Sequence, residues 1–283
     1  MSNLPSLDLS AAINRLIDDA LAEDIGTGDV TSASVIPETL RFRGVMAARE
    51  TLVVAGLPFA AEVFRKVVPE ASFLAKVKDG DRINAGTVLA EMEGPARGLL
   101  TAERTALNLL QHLSGIATLT RTYVDCIAGT GATLLDTRKT IPGLRQAGKY
   151  ATRMGGARNH RMGLYDGVLI KDNHIAVCGS VTEAVRRAKA AKTGNVEVEA
   201  DTLEQVAEAC AAGADIILLD NMTAPVLRQA VALVAGRAKT EASGGVNLQT
   251  IRAIAESGVD FISVGRLTQS APAVDIGLDW DAQ

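Results

Sequence analysis

In the second half of this 283-residue chain, charged and polar side chains close one apolar run after another. TLLDT is followed by Arg138 and Lys139, and GVLI by Lys171; VEVE ends in Glu199 and IILL in Asp220; KTEAS carries Glu241 and leads into Ser243, Gly244 and Gly245; FISV ends in Gly265. A single charge after a buried run is commonly just the first solvated position of a loop. Five runs in succession make a ring. Its cationic side is Arg138, Lys139 and Lys171 and its anionic side Glu199, Asp220 and Glu241, which suits an anionic substrate held together with a divalent metal.

From Arg138 to Lys171 there are eight Lys or Arg residues and His160 against one acid, Asp166. Arg145, Lys149 and Arg153, spaced i, i+4 and i+8, read as one basic, solvated helix face. Arg158, His160 and Arg161 lie instead in the glycine-flanked loop GGARNHRMG, where guanidinium forks could meet a small planar polyacid bidentately. SGGVN (243–247) precedes a helical pattern and Gly265 follows the last apolar run; exposed amides there, helped by the helix N-terminus, suit a phosphate.

These residues must be positioned by the elements around them. TLLDT, GVLIK, VEVEA, IILLD, KTEAS and FISVG alternate with helical patterns such as SVTEAVRRAKAAK, TLEQVAEACAAG, TAPVLRQAVALVAG and LQTIRAIAESG. Strands that are mostly continuous apolar runs, alternating with helices, imply a parallel sheet covered by helices. Without a GxGxxG, a β/α barrel is favoured over a dinucleotide-binding open sheet. Six runs are fewer than a full barrel needs, so the barrel is incomplete or a strand is hidden between Gly155 and Tyr165. The first part of the chain reads as a helix near Leu9 to Glu23, strands in RFRGVMAARETLVVAG, a helix in LPFAAEVFRKVV and a hairpin turning at Asp79-Gly80. GLLTAERTALNLLQHLSG (98–115) reads as a helix with Thr101 as N-cap and Glu103 in its first turn, bridging two domains. The expected division is residues 1–115, 116–267 and a tail, 268–283, returning to the first domain.

Composition narrows the function classes. A net charge of −4 supplies no global field for a polyanion or anionic membrane. Aromatics at 3% argue against base stacking, so no nucleic-acid partner is expected. Cys126, Cys178 and Cys210 match no metal-ligand spacing and read as buried thiols in a reducing compartment. The N-terminal stretch lacks a basic segment before an apolar run, and no apolar run of about 18 residues occurs. The expectation is a cytoplasmic protein with no membrane partner.

LAEDIGTGDVTS, LTAERTALNLLQHLSGIAT, DTRKTIPGLRQAGKYA, GGARNHRMGLYDGVLIKDNHI, VEVEADTLEQ, IILLDNM and EASGGVN resemble the quinolinate phosphoribosyltransferase family of de novo NAD biosynthesis, from about Leu16 to Gly265. The resemblance implies an N-terminal α/β sandwich domain and an incomplete, roughly seven-stranded α/β barrel of the type II phosphoribosyltransferase kind. It implies that quinolinate and 5-phosphoribosyl 1-diphosphate give nicotinate mononucleotide, diphosphate and CO2 with Mg2+ as cofactor. Quinolinate would be held by Arg138, His160 and Arg161 with Lys171 nearby, and by Arg104 of the partner subunit. Lys139 and Lys171 would contact phosphate, with Ser243, Gly244, Gly245 and Gly265 forming its cradle. Glu199 and Asp220 would serve Mg2+, directly or through water, and ribose; Lys139, Lys171, Glu199 and Asp220 are the expected catalytic group. Asn108, His112 and His174 would support them. The implied assembly is a homodimer with shared active sites, with a hexamer left open. The alternatives are a same-fold relative with another substrate, such as the molybdenum-transport-associated protein, and a non-catalytic sensor of a phosphorylated metabolite.

Overall fold

A computed structural model describes residues 10–192 and 194–281. The chain forms α1 (Ala11–Ile25), α2 (Val30–Val35), β1 (Arg41–Ala48), β2 (Leu52–Val53), α3 (Leu57–Val67), β3 (Ser72–Ala75), β4 (Arg82–Ile83), β5 (Val88–Pro95) and α4 (Ala96–Cys126). It continues through β6 (Thr133–Leu135), α5 (Arg145–Met154), β7 (Val168–Ile170), α6 (Asp172–Cys178), α7 (Val181–Ala190), β8 (Val196–Ala200) and α8 (Leu203–Ala211). The last elements are β9 (Ile216–Asp220), α9 (Ala224–Val234), β10 (Lys239–Ser243), α10 (Ile251–Ala255), β11 (Phe261–Ser263), α11 (Arg266–Gln269) and β12 (Ile276–Asp281). Leu9 and the residues before it, where the N-terminal reading begins, lie outside the described residues. No described helix is long and apolar enough to cross a membrane.

Two compact units result. The first takes in the chain up to Arg121, Ile141–Gly156 and the segment from Ser270 onward; the second is Thr122–Thr140 with Ala157–Gln269. In the first, an antiparallel sheet runs in the order β12-β1-β5-β3, with β12 paired to β1 through Leu278↔Met46 and its neighbours. Ile17 and Leu21 of α1, Phe64 of α3 and Leu99 and Leu110 of α4 close its core with Met46 and Met92.

Three expectations are corrected in this unit. β4 pairs with β2, and β3 with β5, so Asp79-Gly80 does not join a simple hairpin. The Asp79 carboxylate is used elsewhere: it accepts the Gly56 and Leu57 amides at 2.8 and 3.1 Å, capping α3, and the Tyr150 hydroxyl at 2.6 Å. Thr101 is not a cap, because α4 starts at Ala96; its hydroxyl donates to the Arg97 carbonyl one turn back and to Asp29. Lys149 is not on a solvated face but fully buried in α5, beside Ala147 and Ala151 of the core.

The second unit holds a parallel sheet in the order β6-β11-β10-β9-β8-β7. Every expected apolar run is a strand. The strand sought in the glycine-rich stretch is reduced to a bridge: Arg158 lies parallel to Leu135, its amide donating to the Leu134 carbonyl at 2.9 Å and its carbonyl accepting the Asp136 amide. The sheet thus gains a seventh position beyond β6, and among the described residues no strand pairing closes it onto β7. Val196, Val198, Ala200, Ile217 and Leu219 are fully buried, as strands covered on both faces require. At the opposite end, Asp215 accepts the Val196 amide and Lys189, and Asp260 accepts the Thr240 amide and Lys239, so the acid before one strand ties down the start of its neighbour.

Candidate active site

The carboxyl ends of the strands in the second unit surround a cavity of about 720 Å³. Its lining includes Arg138, Lys139, His160, Arg161, Lys171, Asp220, Glu241, Ser243, Gly244, Gly245 and Gly265. Of the residues expected from the sequence to form a ring, all but Glu199 line this cavity; Glu199 lies beside it, paired with Lys171.

The cationic wall is built by β6 and the bridge strand. Asp136, fully buried at the end of β6, accepts the His160 amide at 2.9 Å and the Asn159 side-chain amide, which fixes the loop that carries Arg161. The Arg161 guanidinium donates to the Gly167 carbonyl at 3.1 Å. Burial first, and then the nearby Arg138 guanidinium, pull Arg161 below its ordinary value, while Glu197 opposes them. Two partly desolvated guanidinium groups side by side form a site that gains most from a polyanion.

The acidic edge comes from β8 and β9. Glu199, buried, is ion-paired with Lys171, whose own side chain is about half exposed. Asp220 is raised above its ordinary value by burial and then by the Glu199 charge. Asp220 also accepts the Asn221 side-chain amide at 2.6 Å. Carboxylate oxygens of Glu199, Asp201 and Asp220 lie within 4.8 Å of one another.

The third part is backbone. Gly244 and Gly245 take φ +86 and +62, two successive left-handed residues in the cavity lining, where no side chain screens the backbone from an anion. A Cβ on Gly244 would sit 2.2 Å from Asn221 Oδ1, so only glycine fits. The expected help from a helix N-terminus is not at this position, since α10 starts only at Ile251. Gly265 meets Lys139, whose Cδ would be 2.9 Å from a Cβ there. His174 Nδ1 accepts the Lys171 amide at 2.9 Å, capping α6 and setting the root of Lys171. Arg104 and Asn108 occupy an exposed face of α4 in the first unit, outside the second unit's lining.

Residues 116–279 match the model of the quinolinate phosphoribosyl transferase C-terminal domain, and residues 29–114 that of its N-terminal domain. The chain belongs to this family. Its relatives include the nicotinate-nucleotide pyrophosphorylase (carboxylating) of Mycobacterium leprae, 46% identical over 95% of this chain and 97% of that protein. The chloroplastic enzyme of the same name from Arabidopsis thaliana is 43% identical over 99% of this chain and 84% of its own length. Among solved structures, the nicotinate-nucleotide pyrophosphorylase of Francisella tularensis superimposes with a TM-score of 0.92 at 41% identity, covering 95% of this chain and 96% of that one.

Charged residues closing successive apolar runs marked the ring but not everything beneath it. Asp136, Asn159, Glu197 and Asn221 are site residues that the sequence reading passed over. Asp136 looks like an ordinary loop-opening acid, and only its burial reveals it. Glu197 belongs to a V-E-V-E alternation, the usual mark of a strand with one solvated face.

Proposed function

We propose that this chain transfers the phosphoribosyl group of 5-phosphoribosyl 1-diphosphate to the ring nitrogen of quinolinate, with release of diphosphate and CO2, giving nicotinate mononucleotide. The observation that carries this reading is one cavity lined at the strand ends by two guanidinium groups, Asp220 and three glycines, with Glu199 beside it in an ion pair with Lys171. A dicarboxylate, a metal-bound diphosphate and a phosphate each find their chemistry there.

In this reading Arg138 and Arg161 take the pyridine carboxylates, with Arg104 of the partner subunit completing the site in a homodimer, or a hexamer built from it. Lys139 and Lys171 neutralise the phosphates and the leaving diphosphate, and Ser243, Gly244, Gly245 and Gly265 cradle the 5-phosphate. Lys171 is held by Glu199 and would exchange that partner for phosphate when the substrate enters. Glu199 and Asp220 fit Mg2+: hard oxygen donors, close together, with burial and the Glu199 charge already raising Asp220. When bound, Mg2+ would neutralise charge on the diphosphate.

The lone pair of the ring nitrogen forms the bond to the anomeric carbon as the bond to diphosphate breaks, through a centre of oxocarbenium character, so orientation and charge neutralisation do the catalysis. The quaternised ring then holds the electron pair left on the adjacent carbon when its carboxylate departs as CO2, and that carbon takes up a proton. A cytoplasmic setting is consistent with three free thiols, of which Cys210 is buried as expected while Cys126 and Cys178 are only partly so.

The test compares the parent with Glu199→Gln and Asp220→Asn. The expected result is loss of turnover by about a hundredfold or more in each variant, with quinolinate binding retained by calorimetry. A folded parent that binds these ligands and gives no product would instead identify a sensor.

A further inference from the structure

Two buried acids, one lining the cavity and one beneath it, have no part in the reaction proposed above. Glu197 of β8 and Glu241 of β10 are 5% and 1% exposed, in a barrel interior that parallel barrels ordinarily fill with branched apolar side chains. Burying two carboxylates is unfavourable unless they are tied to groups that need them. The Oε1 atom of each has no hydrogen-bond partner among the described residues, while each Oε2 faces His160. The His160 Nε2 lies 3.2 Å from Glu197 and 3.6 Å from Glu241; the first is hydrogen-bonding distance and the second is not.

The other ring nitrogen bears on the protonation state. His160 Nδ1 is 2.7 Å from the Arg161 amide nitrogen and accepts its N–H. A nitrogen that accepts an N–H carries no proton of its own, and an imidazolium would set two N–H groups against each other there. The ring is then the neutral tautomer with its proton on Nε2, directed at Glu197. The backbone on the other side of this residue is held by Asp136. His160 thus spans from the barrel floor to the amide of the residue whose guanidinium faces the cavity.

We infer that Glu197 is a positioning residue: it fixes His160 as the Nε2–H tautomer and, through that ring, the Arg161 backbone, so that Arg161 and not His160 meets the substrate carboxylate. The identity of that carboxylate as quinolinate rests on the function proposed above; the tautomer does not.

Protein labelled with 15N-histidine tests this, because the chain has three histidines and His112→Gln and His174→Gln assign the remaining set. At neutral pH His160 is expected to show one protonated ring nitrogen, Nε2, and one unprotonated. Glu197→Met keeps the volume but removes the acceptor. It is expected to abolish the fixed pattern and raise KM for quinolinate about tenfold, the scale of one hydrogen bond to a charged group. KM for 5-phosphoribosyl 1-diphosphate should not move, and Glu197→Gln, which retains an acceptor, should recover most of the loss. A doubly protonated ring, an Nδ1–H tautomer, or a folded Glu197→Met protein with unchanged KM for quinolinate overturns the inference. If Glu197→Met does not fold, the parent spectrum decides. If no protein makes product, the proposed reaction fails while the spectrum still tests the tautomer.

Discussion

Glu241 shows how a barrel interior reshapes one side chain. Burial, and next the charge of Glu197, push its carboxyl up to about 7. A folded value above the ordinary 4.5 means that the folded chain holds this proton more tightly than the unfolded chain. Stability should therefore fall as pH rises from about 4.5 to about 7, and Glu241→Gln should remove that slope. Urea unfolding of both proteins across this range measures it; parallel curves would place the titrating group elsewhere. Gly244 makes a different demand. Alanine there adds a left-handed strain of about 1–2 kcal/mol and a Cβ against Asn221. Gly244→Ala should raise KM for 5-phosphoribosyl 1-diphosphate at least about tenfold and leave KM for quinolinate in place, which steady-state kinetics would read directly. At this scale the sequence displayed the residues at the strand ends, because charge after an apolar run stands out. It concealed Glu197, which is buried where an alternating pattern suggests solvent, and Asp136, which is buried where a loop-opening acid suggests the same.

The elements were legible in proportion to their continuity. Each apolar run of the second unit is a strand because both of its faces are covered, and nothing local competes with that pattern. The edge at Arg158 was hidden, since a single bridge leaves no periodicity to read. The turn at Asp79 was misread because its side chain serves α3 rather than a paired hairpin, and Lys149 because helical spacing alone does not tell a solvated face from a covered one. The latches at Asp215 and Asp260 belong to this scale as well. Burial raises Asp260, but the hydrogen bond from Lys239 and those from Thr240 outweigh it, leaving the carboxyl below its ordinary 3.8. A depressed value contributes stability that is fully present above about pH 3.8 and is lost as pH falls through the folded value. Asp260→Ala should cost about 1–3 kcal/mol at neutral pH, with the gap from the parent narrowing below pH 4, and kcat unchanged because this end of the barrel is remote from the strand carboxyl ends. Denaturant unfolding at both pH values gives the answer. Asp29, which accepts the Ser32 amide at 2.9 Å as the cap of α2, should cost about 1 kcal/mol on replacement by alanine.

For the whole molecule, the proposal makes the active assembly a homodimer in which Arg104 and Lys171 of one site come from different subunits. Arg104→Ala and Lys171→Ala proteins should each be inactive and should regain partial activity on mixing, because one intact site can form per heterodimer; no recovery despite proven subunit exchange would remove the shared site from the account. Its central claim is the reaction itself. Purified protein is incubated with quinolinate, 5-phosphoribosyl 1-diphosphate and Mg2+, with nicotinate in place of quinolinate and metal-free mixtures as controls, and the products are identified by mass spectrometry. Nicotinate mononucleotide that depends on both quinolinate and Mg2+ is the predicted result; no product from folded protein, or equal product from nicotinate, would contradict it.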